Sequence, residues 1–164
     1  AAGRRVYVAG SIGPTSKSLS LSPDVNDPAC RYCSFDDMAE VYREQIDALV
    51  RGGVDMLLIE TCFDALNAKA ALYAVYRLFP DGNFPVMVSV SVGDRSGRTL
   101  TGQTLEAFYT AVQHYPLLSF GLNCSFGASG LSPLIRDVAS FARCAVSCYP
   151  NAGLPNEMPE IPEC

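Results

Sequence analysis

Polar residues able to do chemistry recur at one kind of place in this chain, the carboxyl end of an apolar run. Ser11, Glu60, Asp94, Asn123-Cys124 and Asn151 each follow such a run. The pattern matters because parallel α/β architectures assemble their sites at those ends. Cys124 closes Gly121-Leu122-Asn123-Cys124, and Asn151 lies in Tyr149-Pro150-Asn151-Ala152-Gly153-Leu154-Pro155. A thiolate can hold a soft metal, yet a thiolate zinc site needs three or four ligands, so Cys124 alone is only part of one. No second cysteine pair follows it that could supply the rest.

The other cysteines read differently. Seven in all, an odd number with no secretory signal, they are expected to be reduced thiols and not a disulfide framework. Cys62, Cys144 and Cys148 lie in apolar strand-like contexts, where cysteine behaves as a small hydrophobe. Cys30-Arg31-Tyr32-Cys33 is a CxxC in a polar loop. It has no second pair at zinc-finger spacing and does not pass from a strand into a helix as a thioredoxin-like motif does. Cys164, among prolines, reads as an exposed thiol. His114, the sole histidine, reads as a solvated surface residue, and Asp94, Arg95 and Arg98 as a solvated loop.

The elements that must position these residues alternate. Strands are expected at Val6–Ala9, Val54–Ile59, Phe84–Val92, Leu117–Leu122 and Cys144–Tyr149. Val54–Ile59 is nearly all apolar, as befits a parallel strand buried on both faces. Between them, Ser34 caps a helix whose first turn carries Asp36 and Asp37, suited to the positive end of its dipole, and Gly52-Gly53 stops it. Further helices are expected at Ala65–Phe79, Leu105–Val112 and Pro133–Phe141, the last with proline in its first turn. Strand starts near residues 6, 54, 86, 118 and 144 define βα units, whose right-handed crossovers give a parallel sheet with helices outside. Spacing fits either an open doubly wound sheet or an arc of a (β/α)8 barrel. Five endowed strand ends favour the barrel arc, because in a barrel all such loops converge.

Composition bounds what such a body could do. The 164 residues are 49% hydrophobic and 18% charged, enough for a core and far from a disordered profile. A formal net charge of −5, with 12 scattered basic residues, argues against nucleic acid as a partner. No apolar run approaches the roughly 20 residues that span a bilayer, so neither a membrane association nor a signal segment is expected and the location implied is cytoplasmic.

Six ordered blocks then carry a resemblance: VAGSIGPT (Val8 to Thr15), GGVDMLLIET (Gly52 to Thr61), DALNAKAAL (Asp64 to Leu72), SGRTLTGQT (Ser96 to Thr104), GLNCSFGA (Gly121 to Ala128) and CYPNAGLPN (Cys148 to Asn156). Together they resemble the homocysteine-binding domain of cobalamin-dependent methionine synthase, over nearly the whole chain apart from the CxxC loop and about the last eight residues. The resemblance implies a single partial domain over 1–164, the third to seventh βα units of an eight-unit barrel, without the first two strands and the last strand with its Gly-Gly-Cys-Cys element. It also implies a methyltransferase that moves a methyl group from methylcobalamin to the zinc-activated thiol of homocysteine, giving methionine. Cys124 matches a zinc ligand, and Asn151 a residue that approaches zinc when the substrate thiol is away. Glu60 matches the carboxylate that receives the substrate's amino group, with Ser11 and Asn123 as weaker substrate-binding candidates whose alternative role is to brace backbone loops. Cobalamin and the folate methyl donor would bind other domains of the same full-length protein, making those domains the expected partners. The alternatives are a betaine- or S-methylmethionine-dependent homocysteine methyltransferase, or a non-catalytic barrel fragment. One cysteine cannot hold catalytic zinc at useful affinity, so no turnover is expected of this chain by itself.

Overall fold

The computed structural model describes residues 3–152. Cys164 and the 153–156 part of the last block lie outside them. Nine elements alternate: β1 (Ala9–Ile12), α1 (Phe35–Arg51), β2 (Met56–Cys62), α2 (Ala65–Leu78), β3 (Val86–Val90), α3 (Leu105–Val112), β4 (Ser119–Gly127), α4 (Ala128–Phe141) and β5 (Ala145–Asn151). The five strands form one parallel sheet in the order β1-β2-β3-β4-β5. That order settles the architecture. A doubly wound sheet reverses its strand order at a switch point, whereas here each crossover advances in the same direction, so right-handed connections put every helix on one face. The fold is a partial (β/α)8 barrel, five units of it.

The core lies between strands and helices. Leu57, Ile59, Val86, Val88, Phe120 and Leu122 point outward from the strands and are fully or almost fully buried. Ala70, Ala71, Ala74 and Val75 of α2 meet them, their small side chains letting helix and sheet approach. The opposite, concave face carries Leu58 and Met87, both half-buried, with no helix over it among the described residues. β1 and β5 form its two edges.

Local signals act largely as expected. Ser34 and Asp37 form a reciprocal capping box on α1, and Gly53 takes φ +87° just beyond its end. Four elements have boundaries that clearly differ from expectation. β1 begins at Ala9, because Val6, Tyr7 and Val8 stay exposed while Gly10–Ile12 pair with Leu57–Ile59. α4 starts at Ala128, ahead of Pro133, which therefore lies inside the helix and withholds one backbone N–H. The extra turn is held by Leu131, fully buried, and by Gly130, where a Cβ would come within 2.7 Å of Phe126 Cβ. β4 runs on to Gly127, and β2 to Cys62, because each contains a bulge.

Cys62 is buried as expected, and Cys144 packs half-buried against the core. Cys148 does not behave as a buried small hydrophobe: it is exposed, because β5 is an edge strand. Cys30 and Cys33 are both free, half-buried thiols in the loop before α1. His114 and the Asp94–Arg98 turn are largely solvent-facing; Ser96, donating from its hydroxyl and its backbone N–H, holds the Asp94 carboxyl below its usual pKa.

Candidate active site at the carboxyl ends of the strands

The two bulges make the site. Between Ile59↔Val88 and Cys62↔Val90, β2 spends one residue more than β3, and the surplus falls on Glu60-Thr61. Between Asn123↔Tyr149 and Gly127↔Asn151, β4 spends two more than β5, and the surplus falls around Cys124-Ser125. Thr61, Cys124 and Ser125 take φ of 58°, 57° and 65°. They are the three non-glycine residues in the left-handed region among the described residues, and all three belong to these bulges. Such backbone costs of order 1–3 kcal/mol per residue and persists only where surroundings over-determine it.

Asn123 supplies that determination. Its side chain is 3% exposed. Its Oδ1 accepts from the Thr61 backbone N–H at 2.9 Å and from Ser89 Oγ at 2.7 Å. Its Nδ2 donates to Thr61 Oγ1 at 2.7 Å and to Cys124 Sγ at 3.2 Å. An amide has two acceptor sites and two donor hydrogens, and all four are used within the protein. On the other side of Cys124, Ser125 Oγ accepts from the Val92 N–H and meets Ser91 Oγ, each at 3.0 Å.

Glu60 is half-buried at the end of β2, and Ser11 Oγ donates to its Oε1, tying the ends of β1 and β2 together. Glu60 and Asn123 line a cavity of about 220 Å³ on the concave face, with Leu58, Met87, Ser89 and Tyr149. The cavity has an apolar floor and polar groups toward the strand ends, a size and lining suited to an amino acid. Cys124, half-buried, is not itself in the lining; its sulfur is tied to the cavity wall through Asn123 Nδ2. Asn151 is half-buried at the end of β5, paired with Gly127 beyond the β4 bulge, and does not line this cavity. Gly121 has a steric reason: a Cβ there would sit 1.8 Å from the Ser147 carbonyl oxygen.

The reading from sequence had no role for Thr61, Ser89 or Ser125. Ser89 and Ser91, two apart within the apolar β3 run, were the legible signal of a polar patch on one face. The left-handed turn at Thr61 had none, since a β-branched residue is among the least suited to that conformation.

As to metals, Cys62 is a buried thiol, pushed up to about 12 by burial first and then by the Glu60 charge. Among the described residues no group of three His, Cys, Asp or Glu side chains could hold an ion. Cys124 can therefore be one donor, and the described residues do not by themselves fit a zinc centre.

A family model described as homocysteine S-methyltransferase matches residues 1–163. Among solved structures, the fold is similar to that of the homocysteine methyltransferase MmuM from Escherichia coli. The apo form matches with a TM-score of 0.72 and 21% identity over 90% of this chain and 50% of that one. The metallated form gives 0.72 and 21%, and the oxidized form 0.71 and 22%, each over 90% of this chain and 49% of that one. The chain thus spans about half the length of the structures it matches. Among the described residues no helix is long and apolar enough to cross a membrane.

Proposed function

The chain belongs to the homocysteine S-methyltransferase family, and on that premise we propose that it is the homocysteine-binding portion of a cytoplasmic cobalamin-dependent methionine synthase, the third to seventh units of its barrel. The observation that carries the reading is the convergence of Glu60, Asn123 and Cys124 on one mouth of the sheet, held there by a single buried amide. The SGRTLTGQT block favours methylcobalamin as donor, with folate and cobalamin domains of the full-length protein as partners.

In this reading the 220 Å³ cavity takes homocysteine. Glu60, acceptor-only when ionised and already oriented by Ser11, receives the substrate ammonium, and Leu58 and Met87 pack its methylenes. The substrate thiol then points toward Cys124. A free thiol near pKa 8.5 is only a few per cent thiolate at neutral pH, so the site must favour the ionised sulfur. The sulfur–methyl bond forms as the methyl–donor bond breaks, and the thiol proton leaves to solvent. Zinc, if held, would take Cys124 as one donor and lower the thiol's pKa, with the remaining donors outside the described residues and Asn151 nearby at the end of β5.

The test pairs zinc content with donor choice in the full-length protein. One zinc per chain, lost in Cys124→Ala, with methyl transfer to homocysteine from methylcobalamin, is the expected result. Transfer only from betaine or S-methylmethionine would replace the donor assignment. No homocysteine consumption with any of the three donors would sink the reading.

A further inference from the structure

We infer that Asn123 is a positioning residue: its side-chain amide clamps the two strand-end bulges together and so sets where Glu60 and Cys124 stand relative to one another. The inference rests on the function proposed above and assigns the amide a role there other than touching substrate. A side chain with all four hydrogen-bonding sites engaged inside the protein has none left for a ligand. What it engages is informative. Two of the four bonds go to Thr61, the residue directly after Glu60, one through the backbone N–H and one through the hydroxyl. A third anchors the amide to Ser89 of β3, and the fourth reaches the sulfur of Cys124.

The clamp thus joins β2, β3 and β4 at the level where β2 and β4 each carry surplus residues. It does so between two left-handed residues, Thr61 and Cys124, that would relax toward ordinary backbone without it. Relaxation at Thr61 would swing the preceding peptide and Glu60 with it. Because Ser125 is tied separately to Val92, Cys124 is held from both sides, and the two bonds between the Asn123 amide and Thr61 are what couple it to Glu60.

The experiment uses Asn123→Ala, Thr61→Ala, Thr61→Ser and the Asn123→Ala/Thr61→Ala double variant in the full-length protein. Three readouts are taken: hydrogen exchange at the Thr61 amide, homocysteine KM and kcat. Expected is selective loss of Thr61 amide protection in Asn123→Ala. KM should rise about 10- to 100-fold in both alanine variants, as when a supporting partner of a site is removed. Thr61→Ser, which keeps the hydroxyl, should return KM to within about twofold, and the double variant should be no worse than the worse single one. A merely destabilised protein would lose active fraction, lowering kcat with KM unchanged, and that result overturns the inference. So does an unaltered Thr61 amide in Asn123→Ala, or a Thr61→Ser protein as impaired as Thr61→Ala. If Asn123→Ala fails to fold, the Thr61 pair still decides. If the parent itself consumes no homocysteine, the proposed function has failed, and exchange at Thr61 still judges the clamp.

Discussion

Two buried polar clusters stand near the carboxyl ends of the strands, one around Asp64 and the other around Asn123, and they are built for different ends. Asp64, 2% exposed, accepts from Ser18 Oγ, Ser20 Oγ and the N–H groups of Ser20 and Leu66. Beside it, Asn67 accepts from the Leu19 N–H and donates to the Lys17 carbonyl. Together they pin the long loop after β1 onto the start of α2. The Asn123 cluster is equally satisfied and equally buried. What separates them is backbone and residue: the first sits on ordinary φ values and leaves nothing reactive, whereas the second sits on three left-handed residues and leaves a carboxylate and a thiol half-exposed. Satisfied burial marks structure in both. Strain combined with unspent chemistry marks the site.

The largest expected effect separates the two at once. Cys124→Ala should cut methyl transfer by about 100-fold or more, beyond what losing a supporting residue costs, while costing only about 1 kcal/mol of unfolding free energy, through the Asn123 Nδ2 donor left without its sulfur acceptor. Asp64→Ala should do the reverse, costing about 3 kcal/mol in a urea titration through orphaned donors and a lost charged acceptor, with homocysteine KM unchanged. A KM shift in Asp64→Ala comparable to its stability loss would break the comparison, since the loop would then belong to the site.

The Asp64 cluster also predicts a pH dependence of definite sign. Burial alone would raise its pKa, but the hydroxyls of Ser18 and Ser20 and the N–H groups of Ser20 and Leu66 overcome it and hold the value below 3.8. A carboxylate depressed in the folded state stabilises at every pH above its unfolded value and loses that contribution as pH falls through the folded one. The stability gap between the parent and Asp64→Asn should therefore be flat from pH 7 to pH 5 and shrink below 3.8. A gap as wide at pH 2.5 as at pH 7 would show that hydrogen-bond geometry, and not charge, ties down the loop.

The two clusters were unequally legible in the sequence. Strand and helix alternation was readable because Val54–Ile59 is an unbroken apolar run and Ser34 a capping residue three before Asp37. The barrel arc, favoured there only by the number of endowed strand ends, follows in the structure from strand order, a non-local property that spacing cannot encode. Glu60 and Cys124 were readable from their place at strand ends and from resemblance. Asn123 was readable only as a weak substrate contact or a brace for backbone loops, because an asparagine before a cysteine does not show which way its four bonds turn; they turn inward. Nothing local in the sequence links Ser18 and Ser20 to their partner Asp64, which lies 46 and 44 residues away. Bulges likewise hide, being differences in residue count between two strands that only pairing reveals.

The smallest effect is the sharpest test of strain as the dividing property, because it compares the same substitution in both clusters. Ser20→Gly deletes a hydroxyl bonded to Asp64 and loosens the unfolded chain, about 1 kcal/mol for the bond and about 0.7 for the backbone. With nothing to offset them, the cost should be about 1.5–2 kcal/mol. Ser125→Gly loses a comparable bond, the one from the Val92 N–H, and the same backbone entropy, while the part-buried Ser91 hydroxyl that it also meets can turn to water. But Ser125 sits at φ 65°, where glycine is at ease and serine is not. Relief of about 1 kcal/mol should offset most of the loss and leave a net cost near 0.5 kcal/mol. Equal costs from urea midpoints would mean that the left-handed turn at Cys124-Ser125 stores no strain, and that chemistry alone distinguishes the two clusters.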